Sequence, residues 1–455
     1  MAIKVTGKNR REYMTQTPVP QLILTLSVPT IISMMVTAIY NTADTFFVAR
    51  VSDVAEINTS ATAAVGLVFT VMALIQATGF FCGHGSGNYL SRMLGANNHK
   101  EASEMASTGF ALALILGVVF AIVGNVMAEP IASFLGRGAS AQTLEFTMQY
   151  MRIILFGAPF MMAQFVINNQ LRFQGAAYYA MIGLMCGAVM NMILDPLLIL
   201  VFHMGVRGAA IATVMGQATS FMVLLIGTSK GENIKLLPQN VHLNWHYIKE
   251  IVNGGAPSLF RQGLAAIATL ILNYTAGSIG SDAAIAGMSV AGRIMMMLAS
   301  ALIGFGQGYQ PVCSFNYGAG LTGRVKEGFK FCVKYSTIVL VGIGAIAFIF
   351  APYIISGFSK DPLAITVGVA ALRFQAFTLP LSGAIVISNM MLQSIGKGIK
   401  ASITASARNG ICFIPMILIL PVFLGITGVE MAQACADVLS LFIAVPMAYS
   451  ELRKF

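Results

Sequence analysis

The residues with the most chemical capacity in this chain stand where charge is most expensive. Asn191 and Asp195 occur in the run Asn191-Met-Ile-Leu-Asp195-Pro196, inside an apolar stretch from about 180 to 202 that is long enough to cross a bilayer. A spacing of four puts both side chains on one helical face, one turn apart. A carboxylate at mid-bilayer depth costs at least about 2.5–3.5 kcal/mol on insertion scales, and such residues mark ion or proton pathways unless a neighbouring helix merely neutralises them. Pro196 has no N–H, so the carbonyl of Met192 loses its helical partner and can point elsewhere. The other mid-run carboxylates are Asp44 in the first apolar segment and Asp437 in the last, the latter a lower-ranked polar site. Carboxylate and amide oxygens suit a hard cation or a shared proton.

The elements that must hold these groups are membrane helices. Of 455 residues, 57% are hydrophobic and 10% charged, with a mean hydropathy of +0.79. That composition belongs to an all-α polytopic membrane protein. Twelve apolar segments run near 22–48, 61–83, 105–127, 147–171, 179–202, 209–228, 254–277, 284–306, 330–351, 365–393, 402–424 and 429–449. With the N-terminus in the cytoplasm, eighteen loop Lys and Arg fall inside and only Arg50, Arg137, Arg207 and Lys360 fall outside. The positive-inside rule then predicts a multi-pass protein of the cell (plasma or inner) membrane with both termini cytoplasmic. The net charge of +10 is accounted for by those loops and gives no reason to expect nucleic acid. The polar start through Pro20 lacks the apolar core of a signal peptide.

Cys82, Cys186, Cys313, Cys332, Cys412 and Cys435 form no C-x-x-C pair and read as packing residues. His242 and His246 are four apart in the longest polar break, but without a third ligand they read as solvated loop residues. The end of that break, 245–251, is predicted to form a short interfacial helix. Arg152, Arg261, Arg293 and Arg373 fall within apolar runs and are expected to be buried. The 28 methionines include clusters at Met161-Met162, 295–297 and Met390-Met391. Flexible thioethers suit a promiscuous pocket, although core and lipid-facing packing explains most of them.

The chain repeats itself. At an offset of 221, Gly66, Gly83, Gly85 and Gly87 match Gly287, Gly304, Gly306 and Gly308. Arg152, Phe156, Pro159, Asn168 and Gly175 likewise match Arg373, Phe377, Pro380, Asn389 and Gly396. Pro29 and Pro257 correspond at an offset of 228. The expected organisation is a cytoplasmic segment 1–20, an N-lobe 21–228 with spans 1–6, and a cytoplasmic linker 229–253. A C-lobe 254–449 with spans 7–12 and a cytoplasmic end 450–455 complete it. Six spans per repeat, an even number, relate the lobes by a pseudo-twofold axis along the membrane normal. Asp44, Asn191 and Asp195 have no polar counterpart in the second half, where Leu272, Ile411 and Pro415 stand. The ion chemistry is therefore expected in one lobe.

With these features the sequence resembles the multidrug and toxic compound extrusion (MATE) transporters. The resemblance spans all twelve segments and rests on Pro29, the run from Ala38 to Asp44-Thr, Gly95-Ala96, Asn191 to Pro196, Gly205-Val-Arg-Gly208-Ala209 to Thr213, and Gly254-Gly-Ala-Pro257-Ser. The DinF-type, MepA-like branch is the nearest in pattern. The resemblance implies an N-lobe cation site at Asp44, Asn191, Asp195 and Thr213, with Tyr150 nearby. Positions that carry acids in the C-lobe of the NorM-type branch here read Arg261-Gln262 and Leu381-Ser382. That departure argues against an ion site in the C-lobe.

The resulting expectation is a secondary active exporter of amphipathic, often cationic drugs or toxins, driven by antiport with H⁺ or Na⁺ through alternating access. Asp44, Asp195, Met34, Met161, Gln164, Met295 and Asn389 are the candidates for its substrate cavity. No cofactor or resident metal is expected beyond the coupling ion, with Na⁺ at Asp44, Asn191, Asp195 and Thr213 as the possible metal contact. The protein is expected to be a monomer in contact with lipid. A lipid-linked oligosaccharide flippase of the same superfamily is the alternative; it would be expected to line its cavity with several Arg or Lys. A receptor or scaffold would not require mid-span acids. No catalytic triad, P-loop or zinc motif occurs, so neither enzyme activity nor ATP-driven pumping is expected.

Overall fold

The computed structural model describes residues 10–48, 50–51, 54–137, 139–358 and 360–455; the side chains of 38–46, 55 and 280–282 lie outside the described residues. Asp44 falls in that group. Among the described residues there is no strand. The helices are α1 (Arg10–Gln16), α2 (Val19–Val48), α3 (Ala55–Gly95), α4 (His99–Val126), α5 (Ala128–Leu135), α6 (Ala141–Phe173) and α7 (Ala177–Pro196). They continue with α8 (Gly205–Thr228), α9 (Trp245–Gly318), α10 (Thr322–Ser356), α11 (Pro362–Ser394), α12 (Gly398–Ser406), α13 (Phe413–Leu424) and α14 (Ile426–Leu452). Twelve helical segments of the described residues are long and apolar enough to span a membrane. The chain is a multi-pass helical membrane protein.

Local chemistry sets the helix ends. Asp361 caps α11 by accepting from the amides of Leu363 and Ala364, with Pro362 in the first turn, where its missing N–H costs nothing. Ser140 and Asn98 cap α6 and α4 in the same way. Many helices run past the apolar segments that predict them. The segment at 61–83 is the centre of α3, which continues to Gly95 through His84, Ser86, Asn88 and Ser91, all buried in protein rather than in water. The predicted short helix at 245–251 is not separate: it forms the first turns of α9.

Two spans are interrupted by π-helical turns, Leu197–Val201 after α7 and Ala407–Ile411 between α12 and α13. The first follows Pro196, whose missing N–H loosens the hydrogen-bond ladder. Gly205 and Gly208 match Gly425 and Gly428 at an offset of 220, which maps the second π turn to 187–191, so the two irregularities are not symmetric.

The chain forms two compact units, which part within spans 1 and 7 rather than in the polar linker. One holds the described residues up to Met14 and Val28–Gly255; the other holds Thr15–Ser27 and Ala256–Phe455. Val28 and Ala256 are related by the same offset of 228 that relates Pro29 to Pro257. Small residues explain the membership. In the second unit the Ser27 hydroxyl donates to the carbonyl of Phe305, and Gly308 lies directly against Ser27. In the first unit Gly254 and Gly255 lie against Gly85 and Phe81. Close backbone approach of this kind needs glycine.

The linker after span 6 folds onto the first unit. The amides of Ile234, Leu237 and His242 donate to Gln174 Oε1, Ser107 Oγ and Thr108 Oγ1 at 2.7, 3.2 and 2.9 Å. His246 and His242 are exposed, as the solvated-loop reading expects, and face Glu101 at 3.3 Å and Glu104 at 3.7 Å. Arg92 pairs with Glu250 at 3.1 Å. All six cysteines are free thiols.

Candidate functional site in the first unit

The site is built where α7 and α8 cross. A methyl group on Gly187 would stand 2.7 Å from the carbonyl oxygen of Gly216, and one on Gly216 would stand 2.9 Å from Asn191 Cβ. Glycine at both positions therefore permits a contact no other residue allows, and it brings Asn191 of α7 beside α8. Thr213, Gln217 and Ser220 follow at i, i+4 and i+7 on α8 and face the same space.

That space is a cavity of about 80 Å³. Its lining includes Met34, Met161, Gln164, Asn191 and Thr213, together with Gln217, Ser220, Asn168 and Gln76. A water needs roughly 10–15 Å³ of such volume, so the cavity accommodates a few waters or an ion. Drug-sized ligands ordinarily occupy roughly 300–1,000 Å³.

The polar groups around it are poorly satisfied. Asn191 Nδ2 donates to Asp195 Oδ1 at 3.4 Å, near the limit of a hydrogen bond. Asn191 Oδ1, Gln164 Oε1 and Ser220 Oγ are buried and find no hydrogen-bond partner among the described residues. Asp195 itself is completely buried. Unmatched buried acceptors cost about 1–3 kcal/mol each, which makes the cavity a place that gains from a donor or a cation.

The structure therefore joins Asn191, Thr213, Met34, Met161 and Gln164 at one cavity, with Asp195 hydrogen-bonded to Asn191. Tyr150 is fully buried in the apolar cluster that also contains Met161, Ile199 and Val206. Asp44 lies outside the described residues. Met295 and Asn389 belong to the second unit. Met295 sits in its apolar core, and Asn389 donates to Ala401 O and Thr404 Oγ1 while accepting from Arg261 Nη1 at 3.2 Å. That bond, with a longer one to Ser258 Oγ, accounts for Arg261. The expected burial of three other arginines is corrected: Arg152, Arg293 and Arg373 are exposed. Apolar flanks do not tell which side of a helix faces inward.

Sequence reasoning missed two features. Gln217 and Ser220 share the Thr213 face, and their spacing could have shown it. Arg408 in the second π turn holds Asp437 by an Nε–Oδ1 contact of 2.7 Å, and Gln433 adds a third donor at 3.1 Å. Among the described residues no cluster of three or more His, Cys, Asp or Glu could hold a metal.

A twelve-span helical membrane protein with a carboxylate–carboxamide pair buried beside an internal cavity has the build of a solute carrier. The model of the MatE family matches residues 29–197 and 257–419, well over half of the chain, and the chain belongs to that family. It is 26% identical over 439 residues to the multidrug export protein MepA of Staphylococcus haemolyticus, covering 96% of this chain and 95% of that protein. It is 27% identical over 442 residues to MepA of Staphylococcus aureus, with the same shares covered. An outward-facing structure of a multidrug resistance MATE family transporter of the MOP superfamily superposes with a TM-score of 0.90 at 25% identity, over 98% of this chain and all of that one.

Proposed function

We propose that this protein is a secondary active multidrug exporter of the cell membrane, moving amphipathic, often cationic compounds outward in exchange for H⁺ or Na⁺ through alternating access. The observation that carries the reading is the fully buried Asp195, hydrogen-bonded to Asn191 beside a cavity with unpartnered acceptors, in a membrane span. Similarity to multidrug export proteins over nearly the full length supports it. Asp44, Asn191, Asp195 and Thr213 form the coupling site, with Tyr150 as its neighbour, and both termini are cytoplasmic. Ion entry neutralises the buried carboxylates and changes how span 1 packs against span 5, which alters access to the drug. Either ion carries about 2.3 kcal/mol per charge per 100 mV. H⁺ is the favoured ion, because a hydrogen-bonded carboxylate–amide pair needs no coordination shell to take a proton.

Proteoliposomes loaded with a fluorescent cationic drug, under separately imposed pH and Na⁺ gradients, test both parts. Drug movement driven by the pH gradient in strictly sodium-free buffer is the expected result. Movement that requires Na⁺ on the receiving side would replace H⁺ with Na⁺. No gradient-driven movement of any cationic drug would overturn the exporter reading.

A further inference from the structure

The repeat places α4 of the first unit and α10 of the second in the same register, and their surfaces are finished differently. The two helices begin after matching turns: Gly95-Ala96 corresponds to Gly318-Ala319 at an offset of 223. The left-handed residue Asn97, with φ of 64°, corresponds to Gly320, with φ of 74°. The starts His99 and Thr322 differ by the same 223.

In the first unit the linker covers the opening turns of α4. Ser107 and Thr108 accept from the amides of Leu237 and His242, Glu104 accepts from the Tyr247 hydroxyl, and Glu101 faces His246. Ser107 and Thr108 are buried as a result. The equivalents on α10 are Lys330 and Phe331, and Lys330 is exposed. What the first unit covers with its own chain, the second leaves open and basic.

The open face is a stripe. Lys326, Lys330 and Lys334 are spaced by four and lie on one side of α10. None makes an ion pair or hydrogen bond among the described residues; Lys334 has only the Tyr335 ring, 5.8 Å from its nitrogen. Glu327, also exposed, is the one acid beside them and reduces the local charge without cancelling it. Arg324 is occupied elsewhere, donating to Asn316 Oδ1 and the Thr17 carbonyl.

The stripe leads directly into apolar surface. Tyr335 is 47% exposed, and on the lysine face the exposed Val341 and Phe348 follow about two and about four turns beyond Lys334. Aromatic rings and lysines with flexible stems are characteristic of the level where headgroups meet hydrocarbon. A ligand that fits both ends has an anionic head and acyl chains.

We propose that Lys326, Lys330 and Lys334 seat the phosphate of an anionic phospholipid, whose chains lie along the apolar face of α10. The lipid takes the place on the second unit that the linker occupies on the first. This seat does not depend on the export reading, since it can be measured without transport.

The test uses full-length protein with Trp245→Phe, which removes the only tryptophan, and Val341→Trp, on the lysine face, as a reporter. Quenching by phosphatidylglycerol with brominated chains is compared with quenching by the equivalent phosphatidylcholine in mixed vesicles. Basic residues near a membrane surface contribute about 1 kcal/mol each, or roughly fivefold per lysine, at low ionic strength. Phosphatidylglycerol is expected to be preferred at least about fivefold at the reporter, less so at high salt. In the Lys326→Gln/Lys330→Gln/Lys334→Gln protein the ratio is expected to fall to near one, whereas Lys235→Gln keeps it. A ratio near one with the lysines present, or a preference that survives the triple change, would overturn the proposal. Should the triple variant not fold, Lys330→Gln and Lys330→Glu are read instead, and the ratio must fall in that order.

Discussion

Replacing Asp195 by Asn separates the site's role in coupling from its role in the fold. The substitution keeps shape and volume and removes one carboxylate that is fully buried. The hydrogen bond it accepts from Asn191 is long, at 3.4 Å. A bond of that length contributes at most the lower part of the usual range of about 0.5–1.5 kcal/mol. Against it stands the insertion cost of a mid-span carboxylate, at least about 2.5–3.5 kcal/mol. Asp195→Asn is therefore expected to leave thermal stability in detergent unchanged or slightly raised. Transport should respond quite differently. At a membrane potential of 100 mV, one coupled charge supplies about 2.3 kcal/mol, which corresponds to roughly a fiftyfold ratio in drug concentration. Loss of that charge removes this factor from the gradient the protein can build. The measurement is drug accumulation in proteoliposomes at matched protein content, alongside a thermal unfolding curve. An Asp195→Asn protein that builds the wild-type drug gradient would refute the coupling role. A variant that unfolds many degrees earlier would show that the carboxylate is structural instead.

Asp44→Asn is expected to lose gradient-driven export in the same assay, whereas Asp437→Asn should keep a substantial part of it, because Asp437 is committed to Arg408. Arg408→Gln should be the more damaging change at that pair, lowering stability by about 3–5 kcal/mol by leaving a buried carboxylate unpaired. Adding Asp437→Asn to it should recover part of the loss, and denaturant titration of the three proteins reads the difference. Gly187→Ala pushes a methyl group against the Gly216 carbonyl. It is expected to reduce export severalfold at a stability cost of about 1–3 kcal/mol, while Gly66→Ala, which meets nothing within 4 Å, should be silent in both measurements.

Much of this protein can be read along the chain because a membrane leaves few choices. Every backbone polar group in hydrocarbon must be satisfied within the chain, so twelve apolar runs become twelve spans. Helical periodicity then places Asn191 with Asp195, since residues four apart on a helix share a face whatever surrounds it. The same rule aligns Thr213 with Gln217 and Ser220. The repeat of Gly and Pro positions is likewise linear information, and it extends to the matched turns at Asn97 and Gly320. Contacts across helices are not linear. Which residue meets Asp437 depends on how the chain turns through the Ala407–Ile411 π segment and on the packing of α14, so Arg408 gave no local signal. Arg152, Arg293 and Arg373 are exposed although their flanks are apolar, because the orientation of a helix about its axis is set by its neighbours. The linker looks like a solvated spacer by composition, yet hydroxyls and carboxylates on α4 hold it by its amides and side chains. The units part at Val28 and Ala256 because glycines 85, 254, 255 and 308 let backbones touch there, and only the folded chain shows which backbones those are.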